Sequence, residues 1–141
     1  FEISMTPFYS GGVGAAWLEK GGVYVVANIR GGGEFGPVWH QAALRSRRHK
    51  ACEDFEAVGR DLVDRGITVP DRLACIGGSN GGLLVGNMLT REGANLFGAA
   101  VCQVPLLDMQ RYHKLLAGAS WVAEYGDPEK SEDWAYLRSN S

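Results

Sequence analysis

RLACIGGSNGGLLVGNML, residues 72–89, decides how this chain is read. Its first part, 72–78, is a short apolar run of strand length. From Asn80 the sequence turns into a helix, 80–92, that is apolar nearly all round and so belongs in the interior. Between the two, Gly77, Gly78, Ser79, Asn80 and Gly81 spell G-x-S-x-G. In that pattern the serine sits on a sharp turn between strand and helix, and its hydroxyl stands at the carboxyl end of the sheet. The turn forces the serine backbone into a strained region at a cost of roughly 1–3 kcal/mol. Its neighbours must be small, because strand and helix nearly collide. The same turn aims the backbone N–H of Asn80 at the place where an oxyanion would form. Ser79 is therefore the candidate nucleophile and Asn80 the candidate oxyanion donor. A glycine-rich turn with an incidental serine is the plainer alternative. The flanking strand and helix, with further glycines at 78 and 82, weigh against it.

The same alternation extends on both sides. AAWLEKGG, 15–22, reads as a short helical segment stopped by Gly21. VYVVANI, 23–29, is a β-branched apolar run, as expected of a strand buried on both faces. CEDFEAVGRDLVDRG, 52–66, reads as an amphipathic helix with Cys52, Phe55, Val58 and Leu62 on one face and Gly66 at its end. FGAAVCQVP, 97–105, is a third strand, and LLDMQRYHKLLAG a short amphipathic helix. Strand, helix, strand, helix, strand implies an α/β fold with a mostly parallel sheet and helices on both faces.

Composition narrows the function classes. The chain has 141 residues, of which 45% are hydrophobic and 21% charged, values suited to one packed domain. A net charge of -2 argues against nucleic acid as a partner. No apolar run approaches the ~20 residues of a membrane span. Cys52, Cys75 and Cys102 form no CxxC pair, so a structural zinc site is not expected. The sequence implies no metal or organic cofactor. Cys75 and Cys102 lie in apolar runs and read as buried thiols. A reducing, cytoplasmic setting fits them, and a periplasmic one stays open. The chain begins at Phe1 and stops at WAYLRSNS, so a piece of a longer protein is expected.

Gly31, Gly33 and Gly36 spell a second motif, G-x-G-x-x-G, with Glu53 and Asp54 about 20 residues on, as in dinucleotide sites. Arg30 intrudes before its first glycine, Pro37 follows its last, and a helix precedes its strand. A rigid turn near the active face is the better reading of GGGEFG.

Taken together, ANIRGGGEFGPVWH, EDF, GGSNGGLLVGNM, LFGAAVCQVPLLDM and SWVAEYGDP resemble the catalytic domain of the prolyl oligopeptidase family of serine peptidases. The resemblance covers essentially the whole chain. It implies an α/β-hydrolase fold, with residues 1–141 as the central part of one catalytic domain and a β-propeller outside the chain. It implies cleavage of short peptides, often after proline, through an acyl-enzyme on Ser79. It implies a second oxyanion donor, a tyrosine hydroxyl upstream of Phe1, and a proline pocket lined by Phe1, Leu106, Trp121 and Tyr125. Leu106 stands where the family more often has a smaller valine.

A nucleophilic serine needs a base, and the base an orienting carboxylate. Asp108 and His113 follow Ser79 in the right order, but they are five residues apart on one short segment. A capping Asp108 and a surface His113 are the better reading, and the resemblance places acid and base beyond residue 141. His40 reads as structural, and His49 in RSRRHK as part of a solvated charge run. The isolated segment is expected to be nearly inert and prone to self-association through an uncovered sheet edge. Within the fold, rivals are a basic-residue-specific oligopeptidase, for which Glu124 could serve as an acidic pocket residue, and an esterase. A non-catalytic scaffold and a nucleotide-binding domain are the readings from other classes.

Overall fold

The computed structural model describes residues 1–91 and 95–141. Two strands, β1 (Ala74–Gly78) and β2 (Ala99–Gln103), pair in parallel with Cys75 opposite Ala100 and Gly77 opposite Cys102. Among the described residues five α-helices accompany them: α1 (Pro37–Gln41), α2 (His49–Asp64), α3 (Asn80–Thr90), α4 (Val122–Tyr125) and α5 (Ser131–Leu137). The predicted end of α3 at Glu92 lies outside the described residues.

Helix α3 packs on both strands and α2 on α3. The covered sheet face carries Cys75, which is 3% exposed. The opposite face carries Ile76 and Val101, both exposed. Among the described residues only one face of this sheet is therefore covered, where the sequence pattern implies two. Residues 23–29 are a second difference. They form no ladder with any described residue, and Val23 and Val25 are exposed. The sequence expresses their capacity to pair, but a strand is completed only by a neighbour's backbone groups.

Helix ends follow their local chemistry. Gly21 closes the segment after Leu18–Lys20 in the left-handed region, at φ 84°. Gly66, at φ 67°, closes α2 with the paired bonds Gly66 N–H to Val63 O and Ile67 N–H to Leu62 O, a Schellman arrangement. Helix α2 starts at His49, three residues earlier than the periodicity suggests. The predicted amphipathic helix over 106–118 is reduced to one tight turn, Tyr112–Lys114. Tyr112 is fully buried there, and its hydroxyl donates to the carbonyl of Gly126. That tertiary bond and Leu116, at φ 47°, outweigh helix periodicity.

The main core lies past the carboxyl end of the sheet. Leu83, Met109, Tyr112, Tyr125 and Leu137 are buried together, with Phe1, Leu106 and Trp121 packed against them. The first turn of α3 is thus anchored in the aromatic cluster contributed by residues 106–137.

The segment before α1 is a rigid turn. Glu2 N–H donates to Gly31 O, and Gly33 N–H to Ile3 O. A Cβ at Gly33 would stand 2.3 Å from the carbonyl oxygen of Glu2. Gly33 therefore serves close passage of residue 2, while Gly31, at φ 101°, supplies a left-handed turn. Asp54, the acid a ribose would require, is occupied by Arg30. Its carboxylate accepts from the Arg30 backbone N–H at 2.9 Å, from Nε at 2.8 Å and from Nη2. Burial works to raise the Asp54 carboxyl, but these Arg30 bonds outweigh it and hold it below its ordinary value of 3.8. A depressed carboxyl contributes stability that is present above its unfolded pKa and lost as pH falls through the folded one. In the full-length protein, Asp54→Asn is expected to cost roughly 1–3 kcal/mol at neutral pH. Urea midpoints should show the deficit shrinking below about pH 4, where the unfolded carboxyl begins to bind its proton, and gone once pH has fallen through the lower native value.

Candidate active site

Ser79 lies at φ 56°, ψ -112°, between β1 and α3. A non-glycine residue there is strained, and such strain persists only where the surroundings over-determine it. The surroundings are visible. Ser79 N–H donates to Gln103 O at the end of β2 (3.0 Å), and Ser79 O accepts from Leu83 N–H (3.1 Å). A serine before a helix ordinarily turns its hydroxyl back to cap the first turn. Here the side chain makes no capping bond. Among the described residues the Ser79 hydroxyl has no hydrogen-bond partner, so it is free for another role. Asn80 is the first residue of α3, and its N–H is one of the helical donors that the ladder leaves unused.

The four glycines around Ser79 divide by function. A Cβ at Gly77 would stand 2.2 Å from the carbonyl oxygen of Gly81, and one at Gly82 would stand 2.7 Å from that of Gln103. These two meet backbone and permit the turn. Gly78 meets nothing closer than an ordinary contact at 3.8 Å, and Gly81 has nothing within 4 Å. The expectation that all the flanking residues must be small therefore holds at 77 and 82 only. Gly81 borders open space.

Beneath the turn lies a polar network that the sequence reading missed. RSRRHK predicts a solvated charge run, yet the Arg48 side chain within it is only 12% exposed. Its Nη1 donates to Glu124 Oε1 at 2.8 Å, and its guanidinium lies 5.1 Å from the centre of the Tyr125 ring. Its Nη2 donates to Asn80 Oδ1, which also accepts from the Tyr125 hydroxyl. His40 Nε2 lies 2.8 Å from the other Glu124 oxygen, which agrees with a structural His40. The sequence signal was an arginine just before an apolar helix face. It becomes readable only with Glu124, 76 residues away.

The pocket residues are partly assembled. The Phe1 ring stacks on Trp121 at 5.9 Å and 16°, and meets Tyr125 edge-on at 5.8 Å. Trp121 and Leu106 line an apolar cleft of about 200 Å³ with Val104, Pro105, Leu115 and Leu116. Phe1 lines a separate, more open depression, to which Trp121 also contributes. Tyr125 lines neither. It is 2% exposed and belongs to the core beneath the site, where burial raises its phenol well above the usual range.

The other candidates fall away from Ser79. Asp108 accepts from Arg111 N–H at 3.1 Å and pairs with the Arg111 side chain, whose hydrogen bond lowers its carboxyl. It caps a turn, as the sequence suggested. His113 is not the surface residue expected, since its side chain is 14% exposed, with Nε2 3.4 Å from Glu129. His49 is exposed, and its Nδ1 lies 3.1 Å from Ser46 O. Among the described residues no histidine bonds to Ser79. His113, Asp127 and Glu129 bring ligand atoms within 4.8 Å of one another. A cation there would compete with the Lys114 ammonium, 2.6 Å from Glu129. Cys52 and Cys75 are buried, which pushes both thiols up and away from reactivity, while Cys102 is only partly covered.

A sharp serine turn at the carboxyl end of a parallel sheet, with a free hydroxyl and an unused helical N–H beside it, is the constellation of a nucleophilic hydrolase. The sequence model of the prolyl oligopeptidase family matches residues 10–141, and the chain belongs to that family. It is 51% identical, over its whole length, to 19% of an uncharacterized peptidase of Sinorhizobium fredii. It is 45% identical to the prolyl endopeptidase of Elizabethkingia miricola, again over its whole length and 20% of the relative. Among solved structures it matches a post-proline cleaving enzyme from Rickettsia typhi at 46% identity and a TM-score of 0.93, covering 100% of this chain and 21% of that one. The fold is accordingly that of part of an α/β-hydrolase catalytic domain. The chain spans about a fifth of the length of these relatives.

Proposed function

We propose that the full-length protein containing these residues is a serine peptidase that cleaves short peptides on the carboxyl side of proline. The observation that carries the reading is Ser79, held at φ 56° with its hydroxyl uncommitted, in a chain of this family. In the first step Ser79 Oγ bonds to the scissile carbonyl carbon and gives its proton to a histidine outside these 141 residues. The carbonyl oxygen takes the negative charge, accepting from the Asn80 N–H and from a tyrosine hydroxyl also outside the chain. Collapse expels the amine, which receives the proton, and leaves an acyl-enzyme that water hydrolyses by the same route. Trp121 and Leu106 offer an apolar cleft wall, and a flat indole suits a pyrrolidine ring. Phe1 stacks on that indole and braces it.

The basic-residue alternative is less well supported. Its acid candidate, Glu124, is 8% exposed and has both oxygens engaged, by Arg48 and His40. The proposed acyl acceptor is water and the partners are short peptides, with no cofactor. The rest of the same polypeptide would supply a propeller and the remaining catalytic groups, and would cover Ile76 and Val101. A cytoplasmic setting is proposed from the three free cysteines.

The test is an assay of the full-length protein on blocked Gly-Pro and blocked Arg fluorogenic peptides side by side. Gly-Pro cleavage at least about 100-fold faster is expected, because an apolar pocket leaves an arginine guanidinium unpaired. Preferential Arg cleavage would overturn the pocket while keeping Ser79. The isolated 141 residues should show no turnover of either.

A further inference from the structure

We propose that Arg48, clamped by Glu124, is a positioning residue that acts through the Asn80 side chain to fix the oxyanion donor. The inference rests on the proposed peptidase reading, since it concerns how that site is held. An arginine guanidinium only donates. The Asn80 atom facing it must therefore be Oδ1, and the Tyr125 hydroxyl must donate to the same oxygen. Two donors from separate elements meet on one acceptor. The Asn80 side chain is thereby restrained at its far end, while its backbone N–H faces the place of the developing charge. Arg48 sits beside the first residue of α2, Tyr125 ends α4, and Asn80 begins α3. A shift of Asn80 and the first turn of α3, which would carry the N–H with it, would draw Oδ1 off both donors.

Arg48 is itself held in place. Glu124 Oε1 binds its Nη1 at 2.8 Å, His40 binds the second Glu124 oxygen at 2.8 Å, and the guanidinium lies over the Tyr125 ring at 5.1 Å. The Arg48 and Glu124 side chains are 12% and 10% exposed. A nearly buried ion pair of this kind is weak as a source of stability but strong as a constraint, since either partner alone is costly. It stands next to a turn whose strain has to be opposed. None of these groups reaches the Ser79 hydroxyl, so their effect passes through Asn80.

The test uses the full-length protein with Arg48→Met, Arg48→Lys, Asn80→Ala, Tyr125→Phe and the double variant Arg48→Met/Asn80→Ala. On blocked Gly-Pro substrate, Arg48→Met is expected to lower kcat about 30-fold with KM within about twofold, because only the transition state uses the oxyanion donor. Arg48→Lys should recover part of the loss. The double variant should lose no more than the worse single one, the signature of residues acting through each other. A peptide aldehyde, whose adduct carries the oxyanion, should weaken in parallel with kcat, while a product peptide binds as before. Independent, multiplicative losses in the double variant would overturn the proposal. So would equal weakening of aldehyde and product, which would mean a purely structural pair. Should Arg48→Met fail to fold, Tyr125→Phe keeps the ion pair and removes the second donor. It should lower kcat about threefold to tenfold, and an unchanged kcat there overturns the proposal. Activity that survives Ser79→Ala would defeat the peptidase reading instead, so the two failures are distinct.

Discussion

Ser79→Ala in the full-length protein is expected to lower kcat on a blocked Gly-Pro peptide by roughly a million-fold, to background. The argument is chemical and conformational together. The covalent route has no other first step, and the other groups near the turn are engaged. Arg48 and His40 both bond Glu124, and Asn80 Oδ1 accepts from two donors. Folding should be little affected, because the hydroxyl makes no capping bond. Alanine inherits the same strain at φ 56°, whereas glycine does not. Ser79→Gly should therefore be equally dead yet about 1–2 kcal/mol more stable than Ser79→Ala. Active-site labelling with a fluorophosphonate, read beside thermal unfolding, checks both halves. Labelling that persists in either variant would remove Ser79 from the nucleophile's role.

Gly77→Ala is expected to have the next largest effect. Its Cβ would lie 2.2 Å from the Gly81 carbonyl oxygen and 2.6 Å from the carbonyl carbon. Both belong to the backbone of α3, so no flexible side chain can give way. The strand and the helix must part, and Ser79 with them. A loss of about 3 kcal/mol or more is expected, at the upper end of overpacking costs. Displacing the proposed nucleophile by about 1 Å should lower kcat/KM by at least about 100-fold. Gly81→Ala is the control for bulk, because a Cβ there meets nothing within 4 Å. Its stability should match the wild type or exceed it by up to about 1 kcal/mol from helix propensity. Equal destabilisation at 77 and 81 in denaturant melts would show that backbone collision is not the reason for the glycine.

The relation between Ser79 and its neighbours shows how far local sequence reaches. A strand, a strained serine and a helix in eighteen consecutive residues were legible because each step is a short-range constraint. Gly21 and Gly66 as helix stops were legible for the same reason, since a left-handed residue closes a helix locally. Residues 23–29 were legible only as a capacity to pair. Arg48 was misread because an arginine in RSRRHK is ordinarily solvated. Its burial depends on Glu124 arriving from far along the chain. Tyr125 was placed in the pocket wall by resemblance, and its hydroxyl is instead drawn to Asn80 in the core beneath. The short segment around Tyr112 defeated helix periodicity because its phenol bonds the carbonyl of Gly126.

By itself the sequence determined the strained serine turn, the strand before it and the helix after it, and the family, because backbone strain, glycine placement and motif spacing are encoded within a few residues. Only the tertiary structure decided which charges are buried, which aromatic rings line a cleft and what holds Asn80. Those properties belong to pairs of residues tens of positions apart. A buried charge is tolerable only where its partner is brought to meet it.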